Sequence, residues 1–543
     1  MSRWIVAIAL GASLLSRPAG AQGPGPHDHG GAPPEKLGSV HLETSCAPAV
    51  QKPFDRAVAL LHSFWFGAAV EAFTAVAKTD PQCAMAYWGL ALSRWSNPFG
   101  GFRSPEALAA GRAAVEQARA APTATPRERA YVAAVAELYR DYETVDQPTR
   151  VLAYERRMDA LRREYPDDPE AAIFYALALT QTAPPTDKSY RNLLAAGAIL
   201  EPLFEAQPDH PGIAHYIIHC YDVPALAPKA LGAATRYAAI APSAPHALHM
   251  PSHTFTRVGH WEDSIATNIA SADAARRDKA IPEVLHALDY QAYAYLQTAQ
   301  DEAVRRLLGQ LPSLAPQIAG GTLAGAPPTA GFFALAAIPA RYALERNAWD
   351  EAAALAPLET AYLFPDSVTH FARALGAARA GRADAARADL ARLEALARAL
   401  HAKNDAYWAE QVEIQHDVAS AWVAYAGGRR AEALAAMREA ADREDRSEKS
   451  AISPGPLVPA RELLGDMLLE SGQPAEALAA YEASMAKEPN RFRGLAGAAR
   501  AAAAAGRPDV AERYRARLVE LCPKGDTQGR PELAQARQSA RRE

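Results

Sequence analysis

Four residues near the C-terminus recur at one fixed distance: Gly472, Pro474, Ala477 and Pro489 are matched 34 residues later by Gly506, Pro508, Ala511 and Pro523. That length is one helix-turn-helix unit, whose apolar face is buried only when further copies stack against it. The same period joins Pro208 to Pro242, each placed to close a helix. Phe54 to Pro81 reads as another copy, with Phe73 on its apolar stripe and Asp80-Pro81 as terminator. Apolar periodicity and Gly/Pro punctuation predict about a dozen hairpins between Lys52 and Cys522, and no segment alternates as a strand does. The expected fold is all-α, a right-handed superhelical solenoid with a concave wall.

These residues resemble the tetratricopeptide repeat (TPR): a small residue and an aromatic on the first helix, Gly at the turn, Ala then an aromatic on the second, and Pro at the end. In the copy that begins near Pro245, Ser252, Phe255 and Gly259 fill the small, aromatic and turn places, while Ser264 stands where Ala is usual. The whole chain is also similar to a group of exported bacterial TPR proteins. That likeness runs through Ser45-Cys46, Ala84 to Gly89, Ala183 to Thr186, His215 to Tyr221, His246 to Trp261, His286 to Leu296 and Glu448 to Gly465. It implies architecture rather than a particular activity.

Residues 1–21 read as a secretory signal: Arg3 supplies the positive start, Trp4 to Leu15 the apolar run, and Ala19-Gly20-Ala21 the cleavage site. The expected location is periplasmic or secreted, without a stable membrane anchor. Residues 22–45 are expected to form a flexible leader and 46–310 a first solenoid half. A Gly/Pro/Ala-rich connector follows at 311–330, then a second half at 331–523 and a charged tail at 524–543. Export makes disulfides possible, and Cys46 is expected to pair with Cys83 across the first hairpin, although two separate buried thiols fit the sequence as well. Cys220 and Cys522 read as packing residues.

With 57 Lys and Arg against 62 Asp and Glu, and no basic block interleaved with aromatics, the composition points away from nucleic acid. A protein or peptide in the concave groove is the expected partner. The serine-nucleophile elbow, the HExxH zinc motif, the phosphate loop and the dinucleotide fingerprint are all missing from their structural contexts.

The chemistry-bearing pattern is histidine. His215 and His219 recur 34 residues later as His249 and His253. An i, i+4 pair shares one helix face, roughly 6 Å apart along the axis, and neighbouring hairpins set such helices roughly 8–10 Å apart. In TPRs the second, fifth and ninth positions of the first helix face the groove. Phasing on Pro208 and Pro242 places His215 and His249 fifth, His219 and His253 ninth, and His246 second. With Ala299 as the turn of the next hairpin, His286 is second, Asp289 fifth and Tyr293 ninth.

The expected ligand set is His215, His219, His249 and His253, with Asp289 as a further ligand or an acceptor fixing a tautomer. His246, His286 and Tyr293 are expected around it in the groove. Imidazole and carboxylate suit zinc, copper, iron or nickel. The function read from this is an exported TPR scaffold or binding protein with a histidine-rich metal site on its concave face. The alternative is a metal-dependent enzyme using an open coordination position. A polar groove lined by duplicated histidines without a metal explains the same pattern. Three weaker features read as ordinary structure: His27-Asp28-His29 as linker, His62 with Trp65 and Tyr87 with Trp88 as core, and the polar stretch Glu448 to Glu462 with Arg461 as a solvated ion-pair face.

Overall fold

Helices end in this chain where residues accept a left-handed backbone. Gly259, Gly472 and Gly506 have φ of 72°, 74° and 72°, and Ala299 fills the same place at 56°. Pro208 and Pro242 follow the helices Arg191–Ala206 and Leu231–Ile240, and the next helices open with Pro211 and Pro245 at their first position. Proline suits that position because its missing N–H has no intrahelical acceptor there.

The computed structural model describes residues 35–101, 103–320, 323–526 and 528–541. The signal segment and His27-Asp28-His29 lie outside them. The described residues hold helices and no strand, and successive helices pack as TPR-like hairpins, as Trp261–Arg277 does against Ile281–Gln297. None of these helices is long and apolar enough to cross a membrane.

The chain from Lys36 onward is one unit. An apolar core runs from Leu37 to Phe255, a second from Ala326 to Ala511, and a third, Ala272 to Ile338, lies between them. The core therefore changes near 311–330, but the expected connector is itself structured: Leu311–Leu314 is helical and a 3-10 turn covers Ala315–Gly320. Two other expectations are corrected. The late part of the leader is packed rather than loose, because Leu42 is buried and its N–H donates to Asp55. The charged tail contains a helix, Pro531–Ala540, held by buried Leu533 and Ala536. Cys46 and Cys83 form a disulfide with their Cα atoms 4.8 Å apart, and Cys220 and Cys522 are free and buried.

The inner surface beside the histidines is not an open groove, because two irregular stretches of the chain itself fill it. In the first, the carbonyls of Leu323 and Gly325 accept from the Gly67 N–H and the Asn97 side chain. The second, 447–459, joins the helices Arg430–Arg446 and Ala460–Glu470, and Glu448 there takes a 2.5 Å hydrogen bond from Lys188. Farther along, Trp261 donates its indole N–H to the Asn490 carbonyl at 2.7 Å.

Candidate metal centre

Three helical segments carry six imidazoles into the core. Pro211–Cys220 supplies His215 and His219. The next segment is split by Pro251 into Pro245–His249 and Pro251–Val258, which together supply His246, His249 and His253. A proline in that place removes one backbone donor and breaks the regular ladder, yet His249 and His253 stay on one face. Ile281–Gln297 adds His286. The most exposed of the six is His219, at 8%.

The rings gather in two groups of three: His215, His219 and His246, and His249, His253 and His286. Within each group one nitrogen per ring lies within 4.8 Å of the others. The groups adjoin, with ring centroids 6.0 Å apart both for His246–His249 and for His219–His253. Each group thus combines an HxxxH pair with one histidine from elsewhere.

Hydrogen bonds on the far side of the rings decide where the lone pairs point. His215 Nδ1 lies 2.7 Å from the His62 carbonyl oxygen and His246 Nδ1 lies 3.0 Å from Glu283 Oε1. His249 Nδ1 is 2.7 Å from Asn268 Oδ1, whose amide nitrogen is already donating to the Ser264 carbonyl, and His253 Nδ1 is 2.9 Å from Asp222 Oδ2. All four partners are acceptors, so each neutral ring carries its proton on Nδ1 and leaves the Nε2 lone pair facing inward. His286 hydrogen-bonds the Ile452 backbone and keeps its Nδ1 without a partner. Nε2 of His215, His219 and His246 is likewise buried and unpartnered. Outer acceptors of this kind fix ring orientation and basicity in metal-bound histidines.

Burial, with neighbouring imidazoles adding to it, holds His215, His219, His249 and His286 well below the ordinary histidine range. Burial also lowers His253, to about 4, against the opposing pull of Asp222. At neutral pH these rings are neutral and able to ligate. Burial alone would raise Asp222, but Lys449, Arg257 and His253 outweigh it and hold the carboxylate well below its usual range.

A third histidine cluster marks the contrast. Glu170 accepts from His62 Nε2 at 2.9 Å and from His210 Nε2 at 2.8 Å, while His62 Nδ1 meets the Tyr216 hydroxyl at 2.9 Å. Its polar atoms are paired with one another, so it is a structural network. His62 does sit in the core, as its apolar face suggested.

Asp289 stands outside both groups of three. Its Oδ1 accepts from Arg341 Nε at 3.1 Å, and Arg341 also binds Ser453 Oγ and the carbonyls of Gly455 and Pro456, so the carboxylate anchors the covering segment. Tyr293 is elsewhere too, its hydroxyl accepting from Arg491 at 2.6 Å. The residue that faces the rings is Tyr290, with its hydroxyl 3.3 Å from His253 Nε2 and its ring 4.7 Å from that of His249. Sequence phasing missed it because taking Ala299 as the turn set a step of 40 residues from His249 to Asp289, whereas the rings meet across a step of 37, His249 with His286 and His253 with Tyr290. The signal was present: His286 and Tyr290 repeat the i, i+4 spacing of the two HxxxH pairs. His246 and His286, expected around the ligands, each complete a group. Of the stretch Glu448 to Glu462, only part is solvated: Arg461 pairs with Asp442 and Asp445, but Lys449 is buried against Asp222 at 2.9 Å.

No protein-family model matches the chain, and no curated protein matches it. Among solved structures it is similar to a human IFIT1 dimer with m7Gppp-AAAA, at 12% identity over 81% of this chain and 90% of that one, with a TM-score of 0.34. It is also similar to the human IFIT1 dimer with PPP-AAAA, at 11% identity over the same shares and a TM-score of 0.33. The Naa15/Naa10 complex bound to HypK-THB matches at 12% identity over 86% of this chain and 70% of that chain, with a TM-score of 0.22. Likeness at this level says nothing about the ligand of this chain.

Proposed function

We propose that this chain is an exported metalloprotein whose helical repeats frame a buried centre for two transition-metal ions, each held by three imidazoles. The observation that carries the reading is the set of inward lone pairs: each of the six rings has a buried ring nitrogen with its proton committed elsewhere or its partner missing. Three protein nitrogens per ion leave a coordination position free, the arrangement of catalytic rather than closed structural sites. The all-imidazole donor set suits copper or zinc, and the chemistry supported is activation of water or dioxygen at the open positions. The Cys46–Cys83 disulfide supports export to an oxidising compartment. A peptide-binding groove at the histidines gains no support, since residues 323–326 and 447–459 occupy that surface.

Metal analysis of untagged protein reconstituted with copper or zinc and then desalted tests this. Two equivalents per chain are expected. No retained metal from either ion overturns the proposal.

A further inference from the structure

A cavity of about 360 Å³ opens beside the metal centre. One wall is His219, a member of the first group of three, and next to it is Asp222, which holds His253 of the second. A different cavity, of about 240 Å³, reaches His246 and Glu283 but no member of the second group. The larger one touches His219 of the first group and, on the side of the second, its outer partner Asp222.

Its surface narrows the class of molecule it takes. Phe99 packs against His219 with ring centroids 4.4 Å apart and planes tilted by 33°, and Tyr190, Tyr407 and the prolines 98, 184 and 185 continue a wall suited to a flat apolar body. Glu448 lines the same space. Its Oε1 accepts from Lys188 and Tyr190, while Oε2 is buried with no hydrogen-bond partner, the nearest cation being Arg257 at 3.9 Å. A carboxylate oxygen left in that state asks for an O–H or N–H donor. The lining holds three carboxylates, Asp187, Asp222 and Glu448, against the ammonium of Lys449, which is already paired with Asp222, so anionic ligands are repelled and the apolar wall favours a neutral one. The volume suits a small organic molecule and is too small for a folded partner.

Resting on the two-metal reading, we infer that this cavity is the substrate chamber of the centre and takes a small hydroxylated aromatic compound. Its ring lies against Phe99 and the tyrosines, one hydroxyl donates to Glu448, and another oxygen reaches the open metal position beside His219.

The test uses zinc-loaded full-length protein, which is redox-silent, and 4-nitrocatechol as the probe, read at a pH below its own first ionisation so that the free probe is neutral and the red shift reports loss of its hydroxyl proton on binding the metal. A saturable shift at one probe per chain is expected, with zinc content unchanged after desalting. Ala183→Trp or Asn192→Phe, which fill the chamber away from the ligating rings, should weaken the probe at least tenfold while keeping two zinc ions. Full zinc occupancy without a shift overturns the chamber and leaves the metal centre standing. So does a shift that both filled variants retain, or zinc stripped by the probe. Failure to load zinc or copper at all overturns the metal centre itself.

Discussion

His249 Nε2 and His253 Nε2 lie 3.1 Å apart in the core, and both rings carry their proton on the far nitrogen, bound to Asn268 and Asp222. Two lone pairs at that distance repel, and no proton is available between them when both rings are neutral. A cation placed between them relieves the repulsion. The metal-free fold is therefore expected to be measurably less stable than the loaded one. At a free metal concentration one hundred times Kd, loading adds about 2.7 kcal/mol for each ion. Thermal melts in chelator and in zinc or copper check this, and identical melting temperatures would contradict it.

His246→Ala and His286→Ala separate the two-group arrangement from a single site built on His215, His219, His249 and His253. Each substitution should reduce bound metal from two ions per chain to one. Retention of both ions by both variants would show that these rings only line the site.

Asp289 is predicted to matter for stability and not for metal. Burial pushes its carboxyl up to about 6 against the pull of Arg341. Asp289→Asn should leave metal content unchanged and cost about 3 kcal/mol, because it leaves a buried guanidinium without its counter-charge. Metal analysis and denaturant titration of the variant decide both parts.

Asp222 serves one ring of the centre and two buried cations, accepting from His253, Arg257 and Lys449. Asp222→Asn should weaken the ion at His249, His253 and His286 by about 10- to 100-fold, the usual effect of losing an outer partner. The ion at the other group should be less affected. Competition with a chromophoric chelator gives the two affinities.

The metal-free protein should lose stability as pH falls. In the unfolded chain histidine takes up its proton near 6.5, whereas folded His253 does so only at about 4. Between those values the unfolded state holds more protons, so the free energy of unfolding declines with pH, by about 3 kcal/mol from this residue. The other lowered imidazoles act in the same direction, and Asp289, with its raised value, opposes them over part of the range. Melts from pH 7 to pH 4 are expected to show a falling midpoint, steepest below 6.5. A flat profile would mean that these rings are not buried in neutral form.

Much of the fold was legible because helical repeats are local. The turn residues Gly259, Ala299, Gly472 and Gly506, and the prolines that open and close helices, act through backbone geometry within a few residues. The pairing of His215 with His219 and of His249 with His253 followed from helical periodicity alone. The step to the third helix did not, since phasing on Ala299 assumed 40 residues where the rings meet across 37, which brings Tyr290 and not Asp289 toward them.

What the sequence by itself determined is the repeat, and with it which side chains share a helix face, because both depend on contacts between near neighbours in the chain. What only the tertiary structure decided is the division of six histidines into two groups and the burial of the centre. Both depend on residues far away along the chain: Glu283 on His246, Arg341 on Asp289, and the irregular stretch 447–459 lying over the cluster. Gly325 shows the reason at atomic scale. A Cβ there would sit 2.6 Å from the His246 ring, so the covering segment approaches as closely as it does only by having none. No local pattern encodes such a meeting, because it exists only after the solenoid has closed on itself.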